Sequence, residues 1–164
     1  MFVLPDYFPN LIRALVGTPA KRLMFCQNHY YLPFTSDPRL GIAEFGVHGV
    51  IVSSHGARQL DRTPVPLEVL APVVDAIGDR AEVLLDTGIT NGGDIVAAMA
   101  LGAKGCLIGR AWLYGLMAGG ERGVDRAIGI LAGQIKRTMQ LLGVARVADL
   151  NRSHVRLRST ELDG

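Results

Sequence analysis

The chain has little cysteine: two residues in 164, Cys26 and Cys106. They lie far apart and match no metal-ligand spacing, so neither a cysteine-built metal centre nor a disulfide scaffold organises the fold. They are expected to be reduced, mostly buried thiols of a cytoplasmic protein. Long hydrophobic runs are also missing. The longest uncharged apolar stretches, "IVAAMALGA" and "AWLYGLMAGG", fall short of the roughly 18 residues a membrane span needs. No basic stretch followed by an apolar one opens the sequence, so export is not expected. Nor is there an excess of either charge. Seventeen Lys and Arg against 15 Asp and Glu leave a net charge of +2, which gives no reason to expect nucleic acid as a partner. With 49% hydrophobic and 20% charged residues, the composition is that of a globular domain able to bury a substantial core.

The sequence divides near residue 36. Residues 1–35 are interrupted by prolines and read as an irregular segment of uncertain origin, with a short helical pattern around Leu11 to Val16 and one candidate strand, "RLMFC". From residue 36 to 164 the pattern is regular. "PRLGIAEFG" predicts a short helix and "GVIVSS" a buried, β-branched strand. "VPLEVLAPVVDAIGD" predicts a turn of helix followed by a second helix, with Pro72 in its first turn and Gly78 at its end. "AEVLLDTG" is the next strand, "GGDIVAAMALGA" the next helix, and "GCLIGR" a third strand leading into a helical "AWLYGLMAGG". Val124, Ile128, Leu131, Ile135, Met139 and Leu142 then recur every three or four residues, the stripe of a core-packed helix stopped by Gly143. Alternating strands and helices predict parallel β/α units.

In parallel β/α folds ligands bind beyond the carboxyl ends of the strands. Each of the three strands after residue 36 ends in a polar or glycine-containing turn. "DTGITNGGD" precedes a helix N-terminus and lets backbone N–H groups approach an anion, and Gly109 and Arg110 arrive from the next strand to complete a phosphate cradle. The plainer alternative is that these glycines only tighten the turns. "SSHGAR" looks reactive. His55 can act as a base near neutral pH, and Arg58 can hold a small acid by its carboxylate. A surface loop with incidental charges is the alternative there. His29, His48 and His154 lack such surroundings and read as structural or solvated.

"SSHGARQLD", "DTGITNGGD" and "GAKGCLIGR" resemble the signatures of the FMN-dependent 2-hydroxy-acid dehydrogenases and oxidases, close to "SNHGGRQLD", "DGGxRRGxD" and "GAxxxxIGR". "GRAWLYGLMAGGERGVDRAIGIL" and "RTMQLLGV" are most similar to the bacterial L-lactate dehydrogenase branch. The resemblance covers about residues 36–155. It implies an α/β fold, the C-terminal portion of a (β/α)8 barrel, incomplete, with about three β/α units plus a C-terminal helix. It also implies FMN as cofactor, no metal, and oxidation of a small L-2-hydroxy acid such as L-lactate. A quinone, a cytochrome or oxygen would be the electron acceptor. By the same resemblance His55 is the base, Arg58 binds the substrate carboxylate and Ser53 contacts the flavin. Asp86, Thr87, Gly88, Ile89 and Thr90 form the phosphate-side loop with Gly109 and Arg110.

Several positions depart from the pattern. Ser54 stands for Asn, Ala57 for Gly, and Thr90 and Asn91 for two arginines, so that either the phosphate contact is weaker or Arg110 carries more of it. A complete barrel takes about 250 residues. The family's flavin-facing lysine and the carboxylate that orients the histidine have no counterparts here. Two readings follow: the C-terminal half of an L-lactate-type enzyme, or a non-catalytic remnant that binds flavin phosphate weakly or packs against a partner. That partner would be the missing barrel half or a second copy. Arg152, Arg156 and Arg158 near the C-terminus read as solvated, with contact to the inner face of an anionic membrane as the alternative.

Overall fold

Four consecutive residues, "GVIV", are buried on both sides of the chain, the pattern of a strand covered on both faces of a parallel sheet. In the computed structural model, which describes residues 2–5, 22–26, 48–58 and 61–157, this strand lies at the centre of five. They are β1 (Phe2–Pro5), β2 (Arg22–Cys26), β3 (Gly49–Val52), β4 (Glu82–Leu85) and β5 (Gly105–Cys106). All pair in parallel, in chain order. A sheet that grows in one direction has no switch point, where a doubly wound fold reverses, and is the order of a barrel arc. Cys26, Val52, Leu85 and Cys106 stand in one row across it. The segments after β3, β4 and β5 therefore leave from the same edge.

The three strands expected after residue 36 are present, each somewhat shorter than its apolar run. The expected total of about three β/α units is corrected upward in strand number. Two further strands come from the segment read as irregular, and "RLMFC" is one of them. The expected helices around Leu11–Val16 and in "PRLGIAEFG" lie outside the described residues.

Side chains alternate across a strand. Val50, Val52, Val83 and Leu85 join Leu70, Val73, Ile77, Ala98 and Leu101 in one core between sheet and helices, leaving Ile51 and Leu84 on the opposite face. Helix α1 (Pro66–Ile77) begins with Pro66 at its first position, where a missing N–H costs nothing, and ends at Gly78. The expected break before Pro72 is not found; one helix runs through it. Pro72 and Glu68 are exposed, so water can satisfy the carbonyl that Pro72 leaves without a donor.

Helix α2 (Gly92–Ala100) is followed by α3 (Arg110–Leu142). At Gly119 and Gly120, α3 leaves helical geometry (φ −161° and 59°), dividing it into arms 110–118 and 121–142. The arms fold back on each other: a Cβ on Gly123 would overlap the Gly115 carbonyl oxygen. Gly143 ends the second arm in a left-handed conformation. The expected core stripe on this arm is buried at Leu131 and Met139 but open at Ile128, which is 56% exposed. Residues of α2 contact α3, and among the described residues none covers the Ile128 flank. Trp112, Leu113, Leu116 and Met117 on the first arm are exposed too.

Candidate active site at the carboxyl edge of the sheet

Immediately after β3 the backbone turns left-handed for three residues, His55, Gly56 and Ala57 (φ 51°, 68° and 57°). The Ala57 N–H closes the turn on the Ser54 carbonyl at 2.9 Å. Left-handed geometry at a non-glycine residue costs on the order of 1 kcal/mol, and such strain gathers at functional sites. The turn leaves His55 and Arg58 exposed at the sheet edge. Arg58 pairs with no carboxylate among the described residues, and Asp61 accepts the Arg62 N–H at 2.9 Å.

Ser53 is the one buried polar residue among those described. Its hydroxyl donates to Asp86 Oδ2 at 2.6 Å and accepts the His55 N–H at 3.0 Å. It therefore binds the histidine loop to the loop after β4. Thr87 donates to the same Asp86 oxygen at 3.1 Å, and its hydroxyl lies 3.2 Å from that of Ser53. Each hydroxyl has one hydrogen, and the carboxylate, as the stronger acceptor, takes both.

The rest of this loop is an N-cap. The Asn91 side chain accepts from Gly93 and Asp94 N–H, and Asp94 Oδ2 accepts from the N–H groups of Thr90 and Asn91 and the Thr90 hydroxyl. The Gly92 N–H, expected in the anion cradle, instead donates to Gln134 Oε1 at 2.8 Å. A Cβ at Gly92 would lie 2.5 Å from the Ile135 nitrogen. This glycine therefore allows two helices to touch. The Gln134 contact spans 42 residues and leaves no local signal in the sequence. Among the described residues the N–H groups of Gly88 and Ile89 have no partner; Gly88 is exposed and Ile89 joins the core.

Past β5 the Leu107 N–H still bonds the Leu85 carbonyl at 2.8 Å, which keeps the following segment beside the Asp86 loop. Gly109 and Arg110 then open α3, exposed, with no side chain capping the helix. Helix N-termini attract anions through free N–H groups and the dipole. That of α2 is occupied by its own cap, whereas that of α3 is not. Arg110 pairs with no carboxylate among the described residues.

Cys106, at the end of β5, is half-buried, and burial pushes its thiol from the ordinary 9.0 up to about 11. At pH 8 its alkylation is expected to run about two orders of magnitude slower than that of a free peptide thiol, read on its own peptide by mass spectrometry. The rate should climb with pH towards 11. The unfolded chain ionises first, so this group's stabilising contribution is present below pH 9 and is lost as pH rises through about 11. Away from the site, Arg152 binds Asp75 Oδ1 at 2.6 Å and holds that carboxyl below its usual range. His154 Nδ1 accepts the Asn151 N–H, a structural role.

A parallel β/α arc that brings a histidine, two arginines and unpartnered backbone N–H groups to the carboxyl ends of its strands has the layout of a barrel-type ligand site. The family is specific. Residues 37–157 match the FMN-dependent dehydrogenase family, and the chain belongs to it. It is 54% identical over 121 residues to a protein named as an L-lactate dehydrogenase from Mycobacterium tuberculosis, covering 74% of this chain and 29% of that protein. It is 44% identical over 128 residues to a peroxisomal (S)-2-hydroxyacid oxidase of Arabidopsis thaliana, covering 78% and 35%. Among solved structures it is similar to (S)-mandelate dehydrogenase, a monotopic membrane protein, at 37% identity and TM-score 0.79, over 91% of this chain and 38% of that one. It is also similar to flavocytochrome b2 at 35% identity and TM-score 0.75, over 88% and 37%. The chain thus spans about a third of the relatives it matches.

Proposed function

We propose that this chain is the C-terminal part of an FMN-dependent dehydrogenase that oxidises a small L-2-hydroxy acid, L-lactate to pyruvate. The bond from Ser53 to Asp86 carries the reading, because it binds the loop of His55 and Arg58 to the loop of Asp86 and Gly88. His55 takes a proton from the 2-hydroxy acid, and the Arg58 guanidinium pairs with its carboxylate. FMN, when bound, accepts the two electrons. The Gly88 and Ile89 N–H groups, the uncapped start of α3 at Gly109, and the Arg110 guanidinium are the donors available to a phosphate. Thr90 is tied to Asp94 and contributes through the loop's shape. Name-level likeness to M. tuberculosis and Nostoc proteins supports lactate.

The partial barrel, with β1 and β2 among its strands, needs covering. The exposed apolar flank of α3 supports a partner that supplies the remaining β/α units, either another part of the same polypeptide or a separate chain. A second copy is the other candidate. A quinone, a cytochrome or oxygen would take the electrons onward, in keeping with a flavocytochrome and an oxidase among the similar proteins. No described helix is long and apolar enough to cross a membrane. We place the protein in the cytoplasm, with a peripheral position at the inner membrane face as the alternative, by analogy with a monotopic relative.

Flavin-fluorescence titration tests the cofactor site. FMN is expected to bind more tightly than riboflavin, which lacks the phosphate, and Arg110→Ala should remove most of the difference, about tenfold. Equal binding of the two flavins would exclude a phosphate site at the start of α3.

A further inference from the structure

Thr87 has a φ of 76°. A β-branched residue rarely tolerates this region, because its two Cβ substituents crowd the backbone, whereas glycine would sit there freely. The position is part of the turn that follows β4, with its hydroxyl 3.1 Å from Asp86 Oδ2 and 3.2 Å from the Ser53 hydroxyl. Asp86 is partly buried, and among the described residues its side-chain hydrogen bonds all fall on Oδ2; Oδ1 has none.

We infer that Thr87 is a positioning residue, held in a strained backbone conformation so that its hydroxyl and that of Ser53 together fix the Asp86 carboxylate at the ligand end of the sheet. A carboxylate clamped at one oxygen by two hydroxyls cannot rotate about its Cβ–Cγ bond without losing both. Its second oxygen is thereby kept as an oriented acceptor. The backbone strain is offset by the hydrogen bond that Thr87 makes to a charged group, stronger than one between neutral partners. Ser53 alone would leave the carboxylate a pivot. Thr87 supplies the second point, and its position next to Asp86 in the chain means that only the left-handed turn brings its hydroxyl back to that oxygen. The role rests on the proposal that this edge binds FMN.

Three variants separate hydroxyl from backbone. Thr87→Val keeps the branched shape and the strain without the hydroxyl; Thr87→Ser keeps the hydroxyl with less crowding; Thr87→Gly removes both strain and hydroxyl. FMN affinity is expected to fall about tenfold in the Val and Gly variants and to stay within about twofold in the Ser variant, from the loss of one charge-assisted hydrogen bond. The melting temperature should not follow this order, because Thr87→Gly relieves the backbone and melts no lower than Thr87→Val. The Asp86 side-chain carboxyl ¹³C resonance, read without flavin, should move in the Val and Gly variants and return in the Ser variant. An unmoved resonance in Thr87→Val overturns the inference, whatever FMN does. A shifted and rescued resonance with no FMN binding by the parent chain upholds the clamp and removes the flavin reading instead.

Discussion

Gly123→Ala is expected to destabilise the fold by about 3 kcal/mol, a fall of roughly 6–12 °C in melting temperature for a chain of this size. The new methyl would overlap the Gly115 carbonyl oxygen and lie 2.8 Å from its carbon. Both belong to the backbone of the facing arm, so no side chain can rotate away. The reciprocal contact is also too close for a methyl: a Cβ on Gly115 would meet the Gly123 oxygen at 2.5 Å. Relief requires opening the hairpin at Gly119–Gly120. That movement draws the second arm off Gly92, where Gln134 accepts its N–H. Gly133→Ala serves as the control, since a methyl there would meet nothing within 4 Å and a helical Gly-to-Ala change gains about 0.5–1 kcal/mol. Thermal melts followed by circular dichroism compare the two. If Gly123→Ala melts within about 2 °C of the parent, under 1 kcal/mol at this size, the arms are not in contact.

The strands after residue 36 are legible in the sequence because each is a short apolar run rich in β-branched residues between glycine, aspartate or serine. "FVLP" is not, being four residues ending in proline within a segment of no clear period. Pro72 misleads because a proline reads locally as a helix start, while its tolerance within α1 depends on which face meets solvent. The hairpin in α3 is half legible. "MAGGERG" marks a break, but the return of one arm upon the other is a matter of backbone packing between Gly115 and Gly123. At the site, the residue types of His55 and Arg58 stand out in the sequence. The bond between Ser53 and Asp86 spans 33 residues, and no local spacing encodes it. Asn91 stands where the resembling family has an arginine, which draws attention to a loss. With Asp94 three residues on, it is a reciprocal capping pair, and that pattern is available in the sequence.

Turnover is the larger effect. The chain alone, supplied with FMN, is expected to leave L-lactate unoxidised. The exposed edge gives His55 and Arg58 to solvent, and catalysis at such a site depends on a held base, an oriented acid and exclusion of water. Supplying the N-terminal β/α units of the M. tuberculosis relative, as a second chain or a fusion, should restore oxidation. Trp112, Leu113 and Leu116 on the first arm of α3 and Ile128 on the second are exposed and would be available to pack against those units. In the restored enzyme His55→Ala should lower kcat by about 10²–10⁴-fold, the span of general-base catalysis. Arg58→Lys should chiefly raise KM for L-lactate, because an ammonium cannot make the paired hydrogen bonds of a guanidinium to a carboxylate. Steady-state dye reduction measures all four. Turnover by the isolated chain that His55→Ala abolishes would mean that residues 1–35 complete the site by themselves. Failure of the complemented enzyme to oxidise any short L-2-hydroxy acid, with FMN bound, would remove the dehydrogenase reading and leave a flavin-binding remnant.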